Sequence, residues 1–438
     1  MLRPTASASR GLACLVLALL LHPATAGALS DGEIAGGARR APLGTREITA
    51  TLASDAFEGR NNQTEGSRRA RAYLIGLLRE IGPGVSGGTA DADYEHPFAK
   101  GTNLAAVIRG RELPDEWVLI GAHYDHLGVS GSGNVFNGAT DNAAGSAVAV
   151  AVGRAIRSLP EAPRRSVAVV LWDAEEDGLL GSIAWVGAPA IPIDRTVAYV
   201  NLDIQGANLT QALSRTSIAI GAETGGDLLY GIVAGSVRSE LAQFPRGVET
   251  LPVSFIFGQL RSDYATFVGA GVPTVFFSDS TGACYHTVRD ETRFVDFEKL
   301  ASQSRIAYRT TIALAEGPDA PPFVAPNPAL ATYADAITLD TIFRRAAPDL
   351  RQFDGEPRRA LQEVFDAVQA IVERGPDAFG ANDVGTLLDA ALQTLDTLGG
   401  ELACAGYFPR RGPTFVAGDR AGTSRPLDGP RLPSSGAR

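Results

Sequence analysis

Short apolar runs alternate with longer amphipathic segments along most of the chain. The runs are rich in valine and isoleucine and predict strands at residues 103–110, 116–122, 166–172, 196–203 and 272–278. Apolar residues at helical spacing predict helices at residues 66–82, 142–159 and 178–187. Because the strands lack polar alternation and are interleaved with helices, the pattern predicts a three-layer α/β/α fold with a mixed, mainly parallel central sheet.

A proline-rich segment at residues 317–328 interrupts this pattern and predicts a domain boundary. Beyond it, apolar residues at helical spacing predict two helices, which carry Leu361, Val364, Phe365, Val368, Ile371 and Val372, then Leu387, Leu388, Ala391, Leu392 and Leu395. We expect this short helical C-terminal extension, residues 319–405, to dock on the main domain or on another subunit. Residues 406–438 are rich in Gly, Pro and Arg, and we expect them to be disordered.

The N-terminus has the features of a secretory signal. Arg3 and Arg10 precede an apolar stretch too short to span a membrane, and small residues at 24–26 offer a cleavage site. Residues 1–26 are therefore predicted to be removed on export, which predicts a periplasmic or secreted protein with its main domain at 27–318. No later segment has the roughly 20 unbroken apolar residues of a membrane span.

Composition narrows the function only a little. A chain of 438 residues that is 45% hydrophobic suits one large or two medium globular domains. The formal net charge of −10 argues against a nucleic-acid partner, and the oligomeric state stays open. Cys284 and Cys404 could pair in an oxidising compartment, but two cysteines make no disulfide framework, so whether they are bridged stays open.

Side chains that bind metals follow the predicted strands. In an open parallel sheet, ligands bind beyond the carboxyl ends of the strands. Each residue alone has a structural explanation, such as a polar turn or a helix N-cap. The candidates are His123, Asp125 and His126 after the second strand, Asp141 before the second helix, Glu175 and Glu176 after the third strand, Asp203 at the end of the fourth, and Tyr285 and His286 after the fifth.

A His, an Asp, a Glu, an Asp and a His taken in chain order from these candidates give two imidazoles and three carboxylates, a set that matches two zinc ions bridged by one carboxylate. A single zinc ion needs only three or four of them, calcium prefers more oxygen and no imidazole, and iron and manganese stay open. Five ligands use one of Glu175 and Glu176, so the other is free to move a proton between water and a leaving amine. Tyr285 is suited to hydrogen-bond a developing oxyanion.

Several motifs in order, over about residues 48–315, resemble the zinc-dependent exopeptidases of family M28, the bacterial leucine-aminopeptidase type. They are GAHYDHLG, GATDNAAGSAVAV, DAEEDGLLGS, NLDIQG, RSDYATFVGAGVPTVFF and YHTVRDE. The resemblance implies an aminopeptidase that removes N-terminal residues from peptides, by attack of a metal-bridging hydroxide on the first peptide bond.

The resemblance also implies individual roles. Two zinc ions per chain would have five ligands, namely His123 and Asp203 on one ion, Glu176 and His286 on the other, and Asp141 bridging both. Glu175 would be the general base and acid, Asp125 would support His123, and Tyr285 would stabilise the tetrahedral intermediate.

The chain departs from the family's pattern in two places. Many members have SDH where this chain has Ser262, Asp263 and Tyr264, which implies an altered pocket shape without loss of metal. The insertion that many members carry ahead of the HxD motif has no room here, which implies a more open cleft. The alternatives are a carboxypeptidase or dipeptidase with the same site, a single-zinc glutaminyl cyclase, and a non-catalytic binding module.

Overall fold

The computed structural model describes residues 28–282, 284–327, 330–353, 355–398 and 404. The predicted signal at 1–26 and the segment at 406–438 that we expect to be disordered lie outside these residues. Within the described part of the chain, no helix has both the length and the apolar character needed to cross a membrane.

Strands and helices alternate through the first three hundred or so described residues, and only helices follow. The strands are β1 Glu95–Phe98, β2 Gly101–Ile108, β3 Leu113–His123, β4 Gly128–Val129, β5 Val135–Phe136, β6 Arg165–Trp172, β7 Thr196–Leu202, β8 Thr216–Ile220, β9 Glu249–Val253 and β10 Thr274–Ser278. The α-helices are α1 Asp31–Arg40, α2 Thr45–Leu52, α3 Glu65–Leu78, α4 Asp91–Tyr94, α5 Ala144–Arg157, α6 Leu180–Gly187, α7 Gly226–Gln243, α8 Tyr264–Gly269, α9 Phe297–Glu316, α10 Tyr333–Ala346, α11 Gly355–Arg374 and α12 Ala381–Leu398.

Eight strands form one sheet in the order β1-β2-β6-β3-β7-β10-β8-β9, and β4 pairs with β5 in a separate ribbon. Strand β3 is parallel to β6 on one side and to β7 on the other, and β10 is parallel to β7. Strands β8 and β9 are also parallel, whereas β1 with β2, β2 with β6, and β10 with β8 are antiparallel. The predicted mixed, mainly parallel sheet is confirmed.

Alternate residues of β3 pack into two different cores. Val118 and Ile120 pack on one face with α5 and α9, whereas Trp117 and Leu119 pack on the other face with α6 and α8. Every residue of β6 is buried, which explains the lack of polar alternation in that strand. Helices therefore cover both faces of the sheet, and the predicted three-layer α/β/α fold is confirmed.

Helix α1 packs on the main domain without an apolar stripe. A capping box begins it, because the Ser30 hydroxyl accepts from the Glu33 backbone N–H and the Glu33 carboxylate accepts from the Ser30 backbone N–H. Gly37 then lies against Tyr308 of α9, where an added Cβ would sit 1.9 Å from the hydroxyl oxygen. The close contact between α1 and α9 at this glycine, instead of a stripe of apolar side chains, therefore fixes the position of α1.

Helices α10, α11 and α12 form the C-terminal extension, one helix more than the two predicted. Their core includes Phe343, Phe365 and Leu387 and is shared with Leu213 of the main domain. Asp335 of α10 accepts hydrogen bonds from the backbone N–H and the hydroxyl of Ser254, each at 2.7 Å. Of the two expected docking partners, the described contacts are with the main domain.

Cys284 and Cys404 form a disulfide, a pairing that the sequence left open. The bond joins the chain beyond α12 to the turn that carries Tyr285 and His286. The two cysteines are 120 residues apart, and their pairing depends on how the extension returns to the main domain. The spacing of the cysteines alone carries no such information.

Candidate metal centre

The predicted ligand residues converge in one crevice at the carboxyl edge of the sheet. His123 is the last residue of β3, Glu175 and Glu176 follow β6, and Asp203 follows β7. His286 lies in the turn after β10. Because β3, β6, β7 and β10 are adjacent and buried, their ends are fixed relative to one another, and the polar residues that follow them meet.

Asp141 lies between two imidazoles. Its Oδ1 is 3.3 Å from His123 Nε2, and its Oδ2 is 3.3 Å from His286 Nε2. Asp203 Oδ1 is 3.3 Å from the same His123 atom, and Glu176 Oε2 is 3.1 Å from His286 Nε2. The five donors therefore form two triplets that share Asp141. Two cations bridged by one carboxylate require this arrangement of side chains.

A third imidazole, that of His126, lies at the same site. Its Nδ1 is 2.6 Å from Glu176 Oε1 and 4.0 Å from Asp141 Oδ2, and the side chain is fully buried. His126, Asp141 and Glu176 form one of the groups whose ligand atoms are close enough to hold a metal ion. Sequence reasoning gave His126 no role, although it lies in the same strand-end run as His123 and Asp125.

Asp125 connects β3 to the glutamate pair. The His123 Nδ1 atom is 3.2 Å from the Asp125 backbone oxygen and 3.6 Å from its carboxylate. A proton on Nδ1 directed at Asp125 leaves Nε2 free to bind metal. The two carboxylate oxygens of Asp125 also accept the backbone N–H groups of Glu175 and Glu176, at 3.1 and 3.2 Å. Asp125 therefore positions both halves of the site.

The pKa values of Glu175 and Glu176 are shifted in opposite directions. Burial raises the pKa of Glu175 well above its usual value, Asp203 acts in the same direction, and His123 opposes both. Burial and Asp141 also act to raise the pKa of Glu176, but its hydrogen bonds with His126 and His286 leave it lowered. Both glutamates fall in groups that could hold a metal ion, Glu175 together with His123 and Glu176.

Tyr285 lies over the site beside Arg261. The Arg261 Nη2 group donates a hydrogen bond to the Tyr285 hydroxyl at 3.2 Å, and the Tyr285 ring stacks on His286 with ring centroids 3.8 Å apart. Burial raises the pKa of the Tyr285 hydroxyl, so it stays protonated. Arg261 immediately precedes the Ser262–Asp263–Tyr264 run, and sequence reasoning gave it no role.

Two buried charged residues that sequence reasoning missed hold the loops of the site. Asp290 accepts the backbone N–H groups of Thr140 and Asp141 and the hydroxyl of Thr140. The fully buried Arg60 donates to four backbone carbonyls, those of Leu52, Tyr124, Asn137 and Gly138. Burial lowers the pKa of the Arg60 guanidinium to about 10, against the opposing effect of Asp125. In the sequence, Arg60 ends the stretch EGR (58–60) and Asp290 ends the stretch VRD (288–290), and these charged stretches were the signals that could have pointed to the two residues.

Strained backbone marks three of the strand ends. Ala174, Ile204 and His286 have φ of 57°, 57° and 54°, in the left-handed region that non-glycine residues rarely adopt. Ala174 precedes Glu175, and Ile204 follows Asp203. Such conformations persist only where the surrounding structure holds them, and they are concentrated at functional sites.

The chain departs from the family's SDH pattern at Ser262, Asp263 and Tyr264, and Tyr264 supports the wall of the pocket. Tyr264 is buried, its ring stacks on Phe276 at 4.9 Å, and its hydroxyl accepts the Leu260 backbone N–H at 3.1 Å. It thereby fixes the turn at Gly258 and Gln259, which line the pocket. Leu395 of the extension also lines this pocket.

Comparison with known proteins agrees with this geometry. Residues 103–311 match the model of peptidase family M28. The chain is 31% identical over 260 residues to the probable glutamate carboxypeptidase LAMP1 of Arabidopsis thaliana, a match that covers 55% of this chain and 35% of the relative. It is 34% identical over 108 residues to aminopeptidase NAALADL1 of Mus musculus, which covers 24% of this chain and 13% of the relative. The match thus spans about a third or less of each relative's length.

The fold also matches a solved structure. The LapA aminopeptidase of Legionella pneumophila superimposes with a TM-score of 0.52 at 19% identity, over 73% of this chain and 81% of that chain. At this identity the match shows a shared fold. The match to the family model, over residues 103–311 or just under half of the chain, shows a peptidase family M28 domain in that segment.

Proposed function

We propose that this protein is an exported, zinc-dependent aminopeptidase that hydrolyses the first peptide bond of peptides. The observation that carries the proposal is Asp141, whose two oxygens each face a different imidazole at 3.3 Å. Membership of a peptidase family supports hydrolysis of peptide bonds. The names of the two relatives, a carboxypeptidase and an aminopeptidase, support action at a chain end.

Zinc fits the donors that the chain presents. Two imidazole nitrogens and three carboxylates suit zinc better than calcium or magnesium, which prefer oxygen alone. The first ion would be held by His123 and Asp203, the second by Glu176 and His286, and Asp141 would bind both. When bound, the ions supply Lewis-acid activation of water and of the carbonyl group of the cleaved bond.

Glu175 moves the proton in this proposal. Its Oε2 atom is 3.9 Å from His123 Nε2, beside the ligands. The carboxylate takes a proton from the attacking water and passes it to the leaving amine. The raised pKa of Glu175, caused first by burial, suits a group that must hold the proton between these two steps.

Tyr285 stabilises the oxyanion that forms when water attacks the carbonyl. Its hydroxyl accepts a hydrogen bond from Arg261, so its own proton is free to be donated to the substrate. Burial keeps this hydroxyl protonated by raising its pKa.

The charge of the pocket bears on which end of a peptide it accepts. Four carboxylates line it, those of Asp141, Glu175, Glu176 and Asp203, and Arg261 is the one cationic residue among its described lining residues. Three of the four carboxylates are metal ligands in this proposal, so bound zinc offsets their charge, and the lining alone does not select a free amine. We propose cleavage at the amino end on the resemblance to the leucine-aminopeptidase type.

Arg261 also supports a second candidate, a carboxypeptidase, because a guanidinium in the pocket could pair with a C-terminal carboxylate. Two sets of peptides separate the candidates, one with a free amine and an amidated C-terminus, the other with an acetylated N-terminus and a free carboxylate. We expect the purified zinc-loaded protein to cleave the first set only. Cleavage of the second set alone would establish the carboxypeptidase, and cleavage of neither would refute both.

Export is supported by the signal-like residues 1–26 and by the disulfide between Cys284 and Cys404, because disulfides persist in oxidising compartments. We expect the mass of protein recovered from an export-competent host to correspond to a chain that begins at residue 27. A full-length mass in the cytoplasmic fraction would contradict export.

A further inference from the structure

The C-terminal extension contributes directly to the pocket that contains the candidate ligands. One side of this pocket is formed by carboxylates of the metal centre, and another by apolar residues of the main domain that include Ile218 and Phe257. Leu395 of α12 completes the lining. A residue far beyond the family-matched segment thus lies within reach of a bound substrate.

A second cavity adjoins this pocket beneath the extension. The two share the apolar Ile218, Phe257 and Leu395 and the polar Gln259, Ser278 and Ser280. The second encloses about 750 Å³, its open mouth included. Beyond the shared residues it lies between α10 and α12, where it is lined by Leu339, Ile342, Phe343, Ala391 and Thr394. A mainly apolar space therefore adjoins the metal centre on the side of the extension.

The charged residues along this cavity are already paired. Lys299 Nζ lies 2.9 Å from Asp279 Oδ1 and donates to the Ala207 carbonyl at 2.6 Å. Asp279 also accepts the Ala207 backbone N–H at 2.9 Å. Lys299 and Asp279 therefore need no ion pair with a molecule bound in the cavity. A charged group bound there would lose its hydration without gaining an ion pair, so the cavity favours an apolar group.

Several contacts hold α10 and α12 in place. Asp335 binds Ser254 through two hydrogen bonds of 2.7 Å, and Arg345 of α10 donates to the Thr216 hydroxyl at 2.9 Å. The Cys284–Cys404 disulfide fixes the chain beyond α12 beside the turn that carries Tyr285 and His286. Leu395 is therefore fixed relative to the metal centre.

We propose that the extension is part of the substrate site, and this inference rests on the proposed aminopeptidase function. Leu395 limits the pocket for the side chain of the cleaved residue, and the cavity between α10 and α12 takes the distal part of a long apolar side chain. The assignment rests on Leu395, which lines both the pocket of the metal centre and the adjoining cavity. The preferred N-terminal residue is then large and apolar, and its selection depends on α12.

The test compares N-terminal residues of increasing length, as para-nitroanilides of alanine, leucine, phenylalanine and 2-aminooctanoic acid. In Leu395→Trp, we expect kcat/KM to fall roughly 10–100-fold for the three large residues and by less than about threefold for alanine, because the new ring fills the pocket. In Ala391→Leu, which narrows only the rear cavity, we expect a loss of roughly tenfold confined to 2-aminooctanoic acid.

Leu392→Trp is the matched control, because Leu392 lies on the same helix but its side chain is 45% exposed. We expect it to have the substrate ranking of the natural protein, and thermal unfolding of each variant checks that it is folded. An unchanged ranking in folded Leu395→Trp would overturn the inference.

Binding separates failure of the inference from failure of the proposed function. Calorimetry with 2-aminooctanoic acid amide measures occupancy without hydrolysis. If the natural protein cleaves none of the anilides but binds the amide, and Leu395→Trp weakens that binding roughly tenfold or more, the aminopeptidase is refuted and the pocket stands. If the natural protein does not bind the amide, or binds it as tightly as Leu395→Trp does, the pocket is refuted.

Discussion

Glu175 and Glu176 are adjacent in the chain, but their surroundings shift their pKa values in opposite directions. The hydrogen bonds of Glu176 with His126 and His286 keep its pKa low despite burial, so it stays an anion that can bind metal. Burial leaves Glu175 with a raised pKa, which suits proton transfer. Paired carboxyl groups whose pKa values are pushed apart are typical of acid–base catalysis. These directions agree with the order of roles that the family resemblance implies.

Replacing Glu175 with glutamine tests the proton-transfer role. Gln keeps the size of the side chain but cannot carry the proton, so we expect kcat to fall by roughly 10²–10⁴-fold. Steady-state kinetics on a leucine anilide measure the loss. Asp177→Asn is the control, because Asp177 lies in the same turn but is exposed and bonds to Asn62. Glu175→Gln with the kcat of the natural protein would remove Glu175 from the mechanism.

Zinc binding should release protons from the histidines. Burial acts to lower the pKa of His286, but its bonds with Asp141 and Glu176 raise it to about 10 in the metal-free protein. The pKa of His123 is also raised well above its usual value, by Asp203 and Glu175 against burial. Both imidazoles are therefore protonated at pH 7 and must become neutral to bind zinc, so a higher pH strengthens binding.

Calorimetric zinc titrations in two buffers with different ionisation enthalpies count these protons. We expect about two protons per chain at pH 7, one from each imidazole. His286→Gln should reduce the count by about one, whereas His96→Gln, which alters a histidine of β1 outside the site, should leave it unchanged. A zinc affinity that does not vary between pH 6 and 8 would contradict this prediction.

At the scale of elements, Arg60 joins three segments that frame the site. Its four carbonyl partners lie at the end of α2, after β3 and in the loop that precedes Asp141. Three of these hydrogen bonds hold loops that carry or adjoin His126 and Asp141. The guanidinium thus fixes the loops of the metal centre without contacting a ligand side chain.

Arg60→Lys should destabilise the protein. Lysine has three donors for four carbonyls, so at least one buried oxygen loses its partner, at a cost of about 1–3 kcal/mol. Urea unfolding of the zinc-free protein measures the difference. Arg69→Lys is the control, because the Arg69 side chain is 46% exposed. Arg60→Lys as stable as the natural protein would show that these bonds do not support the fold.

Which elements could be predicted follows from how they are stabilised. The strands of the main domain are buried runs of valine, isoleucine and leucine, and their hydrophobic pattern is visible in the sequence. Helix α1 depends on a capping box and on the Gly37–Tyr308 contact, which hydrophobic periodicity does not show. Helix α10, by contrast, has buried Ala336, Leu339, Phe343 and Ala346 at helical spacing and begins with a capping box, so its pattern is visible in the sequence although only two helices were predicted.

At the scale of the whole molecule, the M28 domain and the extension share one substrate site in our proposal. The sequence could bring four of the five candidate ligands together because they lie at or after the ends of β3, β6, β7 and β10, which are neighbours in the sheet or one strand apart, whereas Asp141 precedes α5. The contribution of α12 could not be predicted, because it depends on how a segment more than 100 residues further along returns to the sheet edge. The Cys284–Cys404 bond depends on the same return.

Cys404→Ser should lower the free energy of unfolding. The bond closes a long loop, and its removal restores conformational freedom to the unfolded chain, for an expected loss of about 2–4 kcal/mol. Urea unfolding measures the loss, and a reductant should destabilise the natural protein by the same amount while leaving Cys404→Ser unchanged. Equal stability of the two proteins without reductant would contradict the stabilising role of the bond.

The central claim is a two-metal site in which Glu176 binds zinc and Glu175 does not. Zinc content per chain, measured by mass spectrometry on the natural protein and two variants after dialysis against limiting zinc, tests it most directly. We predict two zinc ions in the natural protein, two in Glu175→Gln and one in Glu176→Gln. Fewer than two ions in the natural protein, or an equal loss in both variants, would contradict the claim.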